Sequence, residues 1–370
     1  MSFVFGILGL GFLVFFHEAG HFLAARVFGV TVEAFSIGMG PVLLHYKKGN
    51  TDYRLSAIPL GGYCAMKGEK DFQKALEENL LTIEASSDSF YGIHPLKRLA
   101  IAFAGPFFNF FFGFLSFFMI ALVGYTYYSA GTTVTMADEV YPQIHSAAHE
   151  SGMMTGDRIV SINGKKVNDF SEIAGFVSTH PDVDLIFVVS RDGQEMSIVV
   201  HSDLDIETGS GKVGIVSDAN SVIAREHERK GFAGAIKEGF SETFSIIGLT
   251  FRSILTLFKG IKISNAVSGP VRITSMLGST VKEGFSVGIR AGIISTLELL
   301  ALISISLFLT NLLPVPVLDG GLILFAFVEW ITRKKMSPKA LYRVQLIGIA
   351  FIGMLMVIAI FGDVLYFTKR

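Results

Sequence analysis

Apolar residues in this chain gather into long runs instead of alternating evenly with polar ones. The first run, Phe3 to Phe16, carries no charge, and it reaches Ala25 if Glu18 is tolerated. Three more runs lack Asp, Glu, Lys and Arg altogether: Leu99 to Gly124, Leu299 to Leu318 and Val344 to Gly362. A helix rises about 1.5 Å per residue and membrane hydrocarbon is about 30 Å thick, so about 20 apolar residues span it. The pattern therefore predicts four transmembrane helices. A cleaved leader is the alternative for the first run, but Met1-Ser2-Phe3-Val4 lacks the basic residues that a leader begins with.

The stretches between the runs differ from one another. Arg26, Lys47, Lys48, Arg54, Lys67, Lys70, Lys74, Lys97 and Arg98 lie between the first two, and Arg333, Lys334, Lys335, Lys339 and Arg343 between the last two. Short basic loops mark the cytoplasmic side, which puts both termini and the long middle segment outside. Lys369-Arg370 point weakly the other way. Within that middle segment, Ile159 to Ile162 reads as a strand followed by an Asn163-Gly164 turn, and Leu185 to Ser190 and Met196 to Val200 as strands joined across Asp192-Gly193. Ser171 to Ser178 suits a short helix with Ser171 as N-cap. Together these predict a compact α+β module. Beyond it, apolar residues recur at helical spacing among Lys237, Glu238, Glu242, Arg252 and Lys259. That suits amphipathic helices on a membrane surface, against the bundle, or on a soluble face.

Composition narrows the picture. The 370 residues are 51% hydrophobic with 34 Phe, which excludes a disordered chain. Lys+Arg 31 against Asp+Glu 32 leaves a net charge of −1, so no basic excess points to nucleic acid. The single cysteine, Cys64, excludes an intramolecular disulfide and falls in the first basic stretch, where a free thiol is expected.

Charged and imidazole groups inside the apolar runs are costly, and so are functional suspects. The first run holds His17-Glu18-Ala19-Gly20-His21. Residues four apart share a helix face, so two imidazoles there can bind one Zn²⁺, with Glu18 placed to act as general base. A polar cluster that merely packs helices is the alternative. His145 and His149 are also four apart, but no Glu follows the first of them, and an exposed pair on a short helix is the expectation. A catalytic zinc usually takes a third protein ligand. Asn311-Leu312-Leu313-Pro314-Val315-Pro316-Val317-Leu318-Asp319-Gly320-Gly321 closes the third run. Its prolines break the helical ladder, and its glycines permit close backbone approach. Asp319 either aims into an interior or simply reaches headgroup water. Depth favours the interior: if the third helix starts near Leu297, Asn311 and His17 lie equally far into parallel helices. Farther upstream, Gly49-Asn50 separates Val42-Leu43-Leu44 from a strand over Tyr53 to Ile58 that ends at Pro59. The hairpin either dips into the membrane beside the metal or is an ordinary cytoplasmic one.

These motifs resemble the site-2 protease family, and most closely its bacterial regulator-of-sigma-E protease group. The likeness rests on His17 to His21, on Asn311 to Gly321, on Gly156 to Gly164, and on Gly61-Gly62-Tyr63 with Lys67-Gly68-Glu69. It implies an α-helical polytopic membrane protein with four transmembrane helices, an inserted PDZ-like α+β domain and a membrane-associated β-hairpin. The expected organisation is helix 1 over 1–28, a cytoplasmic-side β region over 29–97, helix 2 over 98–126, the periplasmic PDZ-like domain over 127–222, amphipathic helices over 223–290, helix 3 over 291–330, and a loop with helix 4 over 331–370. It further implies one Zn²⁺ per chain held by His17, His21 and Asp319, with Glu18 as base. Asn311 would hold substrate or stabilise the oxyanion, unless it serves only to satisfy backbone freed by the prolines. Arg54, Leu55, Ser56, Ala57, Ile58, Gly61, Gly62, Pro314 and Pro316 are the implied substrate-binding residues. The implied activity is cleavage within or near the transmembrane segment of single-span proteins, such as anti-sigma factors or signal-peptide remnants, in the bacterial inner membrane, with the active site toward the cytoplasm. The PDZ-like domain would bind a peptide or act as a size filter. Many relatives carry two such modules, and this chain has room for one. A transporter, or an inactive scaffold, is the competing class.

Overall fold

The computed structural model describes residues 2–205, 209–218, 221–256 and 269–368. In chain order its elements begin with α1 (Ser2–Val27), β1 (Val32–Lys48), β2 (Thr51–Met66), α2 (Glu69–Glu77) and α3 (Pro95–Val123). Next come β3 (Tyr125–Ser129), β4 (Val134–Met136), α4 (Ala137–Val140), α5 (Ala147–Glu150), β5 (Arg158–Ile162), β6 (Lys165–Lys166) and α6 (Phe170–Ser178). Five strands follow: β7 (Val183–Arg191), β8 (Gln194–Leu204), β9 (Gly211–Lys212), β10 (Ile215–Ser217) and β11 (Ile223–His227). The chain closes with α7 (Phe232–Thr256), α8 (Pro270–Val287), α9 (Ile289–Asn311), α10 (Asp319–Thr332) and α11 (Pro338–Thr368). Two compact units result: one built from 1–122, 230–247 and 268–370, the other from 123–229 and 248–267.

In the first unit, four helices are long and apolar enough to cross a membrane: Phe3–Val27, Pro95–Val123, Ile289–Asn311 and Pro338–Leu365. They leave large apolar side chains uncovered. In α11, Ile347 and Val357 are each 68% exposed, beside outward-facing Met354, Met356 and Phe361. Hydrocarbon, not water, suits such a surface. The third run is shorter than the sequence implies: α9 ends at Asn311, and the Leu-Asp-Gly segment opens a separate helix, α10. Pro314 and Pro316 account for the break, because neither can donate to a helical ladder.

The helices pack through small residues. A Cβ at Gly6 of α1 would overlap the Thr274 carbonyl of α8. Helix α8 starts under Asp363 of α11, whose carboxylate accepts from Gly269 N, Val271 N and Arg272 N at 3.0–3.2 Å. A buried carboxylate there satisfies donors that a helix start leaves open. The charge-free run ends at Gly362, one residue short of this cap. The first part of α7 lies on α3 through Phe232 on Phe118, Phe240 on Phe114 and Phe244 on Phe110. Of the placements open to the 223–290 stretch, α8 and this part of α7 lie against the bundle. Residues 257–268, with Lys259, lie outside the described residues.

The predicted hairpin forms about the Gly49-Asn50 turn, but β2 runs on past Pro59 to Met66. Strands β1 and β2 pair antiparallel with several register shifts. As a result, residues 34–37 of β1 have partners on both sides, 62–65 of β2 on one and 52–55 on the other. Gly38, Gly40 and Gly61 take positive φ where the strands bend, a conformation that costs glycine little. Residues 52–55 also pair with 44–47, so they are interior to the sheet. Residues 62–66 are paired on one side only among the described residues.

The second unit has a five-stranded sheet in the order β6-β5-β7-β8-β9, with β4 paired to β10 and β3 to β11. The two predicted turns are there: Asn163-Gly164 and Asp192-Gly193 all take positive φ, as a two-residue hairpin of this type requires. Phe187, Leu185, Ile159, Ile162, Ile173 and Val200 fill its core. Helix α6 is capped by Asp169, which accepts from Glu172 N, and not by Ser171. Ser171 lies inside the helix and donates to the same carboxylate. The acidic side chain is the stronger acceptor and complements the helix N-terminus.

Candidate metal centre

Helix α1 brings His17 and His21 onto one face, both buried, with ring centroids 4.9 Å apart. Asp319, in the first turn of α10, reaches both: His17 Nε2 to Oδ2 is 3.1 Å and His21 Nε2 to Oδ1 is 3.2 Å. The two Nε2 atoms are 3.2 Å apart. Among the described residues this is the one group of three His, Cys, Asp or Glu side chains whose donor atoms converge closely enough to share an ion. All three direct a ligand atom into one small space. Among the described residues, Asp319 Oδ2 has no hydrogen-bonding neighbour beyond the His17 ring.

The outer ring nitrogens are held by α3. His21 Nδ1 donates to the Ile101 carbonyl at 2.8 Å, which leaves Nε2 as the lone-pair nitrogen. His17 Nδ1 faces the side-chain amide of Asn109 at 3.0 Å. Asn109 is fully buried, and among the described residues its Oδ1 has no hydrogen-bond partner. Turning that amide over would let Oδ1 accept from His17 Nδ1–H, the arrangement a metal-bound imidazole needs. Ser304 of α9 donates to the Asn109 backbone carbonyl, so three helices meet at this residue. Glycine is required where α3 passes His21, because a Cβ at Gly105 would overlap the ring.

The turn ahead of α10 explains the motif around Asp319. Leu312 N and Leu313 N close the last turn of α9, Val315 N bonds back to Leu313 O, and Leu318 N to Val315 O. The chain folds so tightly that a Cβ at Gly320 or Gly321 would strike the carbonyls of Leu313 or Val315. Val317 takes φ 94°, unusual for a β-branched residue, at the step that aims Asp319 back toward α1.

A cavity of about 460 Å³ opens on the cluster. Glu18, Asn109, Asn311, Gly61, Gly62 and Tyr63 are among its lining residues. The structure brings His17, His21 and Asp319 together and sets Glu18 and Asn311 on the same cavity, while α9 begins at Ile289, not near Leu297. Arg54, Leu55, Ser56, Ala57 and Ile58 do not line the cavity, and neither do Pro314 and Pro316. Arg54 and Leu55 are paired on both sides within the sheet, Ser56 and Ile58 pair with Val42 and Met39, and Pro316 packs on Gly348 of α11. Arg54 touches the site indirectly, donating to the Tyr63 hydroxyl at 3.0 Å. The part of β2 that faces the cavity is 61–66, and its Cys64 backbone amide interacts with the Glu18 carboxylate.

Asn109 is the residue that motif reading misses. It is uncharged, so a count of charges in the run Leu99 to Gly124 passes over it, yet Asn109 and Ser116 are the only side chains in that run with polar hydrogen-bonding groups. His145 and His149 do not converge. His145 pairs with Asp203 and Glu150, and His149 with Asp138, all on an exposed surface.

Comparison with known proteins bears on the same residues. The family described as peptidase family M50 matches residues 5–355. A protein of Treponema pallidum named "Putative zinc metalloprotease" is 33% identical, with 98% of each chain covered. Relatives of the same designation in Campylobacter jejuni and Agrobacterium fabrum are also 33% identical. The former covers 98% of this chain and 93% of its own, the latter 97% and 94%. A match running from the first apolar helix into the last, over both halves of the buried cluster, places the chain in peptidase family M50, the site-2 protease family.

Proposed function

We propose that the chain is an intramembrane zinc metalloprotease that hydrolyses a peptide bond within or near the transmembrane segment of single-span proteins, anti-sigma factors and signal-peptide remnants being the substrate class implied by the resemblance. The observation that carries this is the convergence of His17, His21 and Asp319 at 3.1–3.2 Å beside Glu18. Tetrahedral zinc takes nitrogen and oxygen ligands at about 2.0–2.2 Å, which sets neighbouring donors about 3.3 Å apart. The spacing of these side chains, an Asp319 Oδ2 that faces only the His17 ring among the described residues, and the Ile101 bond that fixes the His21 tautomer all fit that ion. Zinc, when bound, supplies an activated water and polarises the scissile carbonyl.

The protein groups divide the remaining work. Glu18 takes the proton of the attacking water and returns it to the leaving amine. Asn311, on the cavity wall, donates to the oxyanion. A transmembrane helix hides its carbonyls in its own ladder, so it must unwind before attack. The one-sided strand 62–66 supports addition of the unwound peptide as a further strand beside Glu18. This centres the substrate-binding element, expected over 54–58 with Gly61 and Gly62, on 61–66.

The second unit is read as a PDZ-like domain. Its support is a five-stranded sheet covered by α6, and a groove of about 380 Å³ between α6 and residues 210–216, with Phe170, Ile173 and Val177 along it. It takes a peptide end or screens substrates by size. The basic loops support a bacterial inner-membrane setting with that domain and both termini outside.

Glu18→Gln tests the reading. Zinc retained at one per chain, with cleavage of a single-span test substrate lost, is the expected result. Cleavage at the wild-type rate would overturn it.

A further inference from the structure

Arg98 stands in the first turn of α3 and is buried. Its Nη2 lies 2.6 Å from Oε2 of Glu329, near the end of α10, and the two side chains are 9% and 13% exposed. The pair is far from ideal as a stabiliser. Arg98 Nε has no hydrogen-bond partner among the described residues, and desolvating two charges offsets much of what their attraction returns. Apolar side chains of similar volume would serve packing as well.

What distinguishes the pair is its place. Three residues along α3, the Ile101 carbonyl holds His21, and eleven along, Asn109 faces His17. Ten residues before Glu329, α10 begins at Asp319. A helix rises about 1.5 Å per residue, so about 15 Å of α10 separates the ion pair from the candidate ligand. Both helices therefore reach the metal centre at one point and each other, by a directional contact, at another. The connection from α9 is a poor guide for α10: residues 312–318 are irregular and include two prolines and the positive-φ Val317. Apolar contacts between helices tolerate a small slip, because packing loses uniqueness before it loses stability. A charged pair at hydrogen-bond distance does not.

We propose that Arg98 and Glu329 are positioning residues that fix the axial register of α10 against α3, and so set where the Asp319 carboxylate stands relative to His17 and His21. The inference rests on the metal-site reading above. It predicts that the pair acts on metal affinity more than on folding.

The test is zinc affinity of the full-length, detergent-solubilised protein, measured by competition with a chromophoric chelator, alongside thermal unfolding of the zinc-free protein. Glu329→Gln is expected to weaken zinc binding about tenfold or more, the range found when support of metal ligands is lost. The double variant Arg98→Met with Glu329→Met removes both buried charges. It is expected to unfold at or above the wild-type temperature and still bind zinc weakly. The reversed pair, Arg98→Glu with Glu329→Arg, is expected to recover affinity. Wild-type zinc affinity in the Met/Met variant would overturn the inference, since register would then not depend on the pair. So would Glu329→Gln protein that unfolds earlier but binds zinc normally. Failure of the wild-type protein to bind zinc would instead overturn the metal-site reading, which keeps the two failures apart.

Discussion

Replacing Asn109 with leucine is a sharp test of how α3 supports the metal centre. The side chain is fully buried, and its amide is 3.0 Å from His17 Nδ1. Leucine nearly fills the space but offers no partner, so His17 Nδ1 is left buried and unpaired. Leaving such a group unsatisfied costs about 1–3 kcal/mol. At about 1.4 kcal/mol per factor of ten, that is about a 5- to 150-fold loss if the cost falls on the metal-bound state. Losses on removing outer partners of metal ligands run from about 10- to 100-fold, the same range by an independent route. Asn109→Asp keeps an acceptor toward Nδ1–H and is expected to hold zinc within a few-fold of wild type. Ser304 bonds the backbone carbonyl of residue 109, so neither substitution removes that link between α3 and α9. Chelator competition gives the affinities, and unfolding temperatures show whether the fold has suffered. Asn109→Leu protein that binds zinc as tightly as wild type would refute the reasoning, because His17 would then need no support from α3.

Two further predictions concern the sheet and the second unit. A photo-activatable cross-linker at Tyr63 is expected to capture a single-span substrate in a Glu18→Gln background, whereas one at Leu55, interior to the sheet, is not; equal capture at both would remove the strand-addition reading. In the second unit, burial pushes the Asp157 carboxyl up, but Arg191, bonded to both oxygens at 2.7 Å, and the Met154 amide bring it below the ordinary range. Its contribution is therefore present above the unfolded value of about 3.9 and lost as pH falls toward the folded one. His145, His149 and His201 are raised by hydrogen bonds to Asp203, Asp138 and Asp184, so theirs is full below about pH 6.5 and lost as pH rises through their raised values. Asp157→Asn is expected to destabilise this unit at neutral pH, by less than a fully buried pair would lose because Arg191 is partly exposed, and to flatten its acid limb, read by hydrogen exchange of β5 and β7. Unchanged exchange would count against the pair as a stabiliser.

Much of this architecture is legible in the order of residues alone. Charge-free runs locate the four long helices because hydrocarbon tolerates few alternatives to apolar side chains. Asn163-Gly164 and Asp192-Gly193 announce their turns because few residue pairs accept two successive positive φ values. The histidines and Glu18 stand out because they are costly where they are. Asn109 does not, since a neutral amide leaves no mark on a charge count, and only the distance to His17 shows its role. The register of β1 on β2 is equally hidden. Bends at Gly38, Gly40 and Gly61 let one strand pair twice, and no alternation of residue types records which part of β2 ends outermost. The Arg98–Glu329 pair joins residues 231 positions apart by the numbering, and charge alone makes each look like a loop residue.

On the proposed function, the one-sided strand 62–66 also bears on which sequences the protein would cut. Among the described residues its backbone has strand partners on one side only, and in apolar surroundings every unmet N–H or C=O is a cost. A helix opened for cleavage has the complementary deficit. Docking the two together, as proposed, would cancel part of both, but only along the few residues that strand 62–66 offers. The remaining cost must be small in the substrate itself. Residues that weaken a helix, such as glycine, asparagine or serine near the scissile bond, lower it, whereas an unbroken stretch of leucine does not. Selectivity can thus reside in how readily a segment unwinds, without any pocket that recognises a particular side chain.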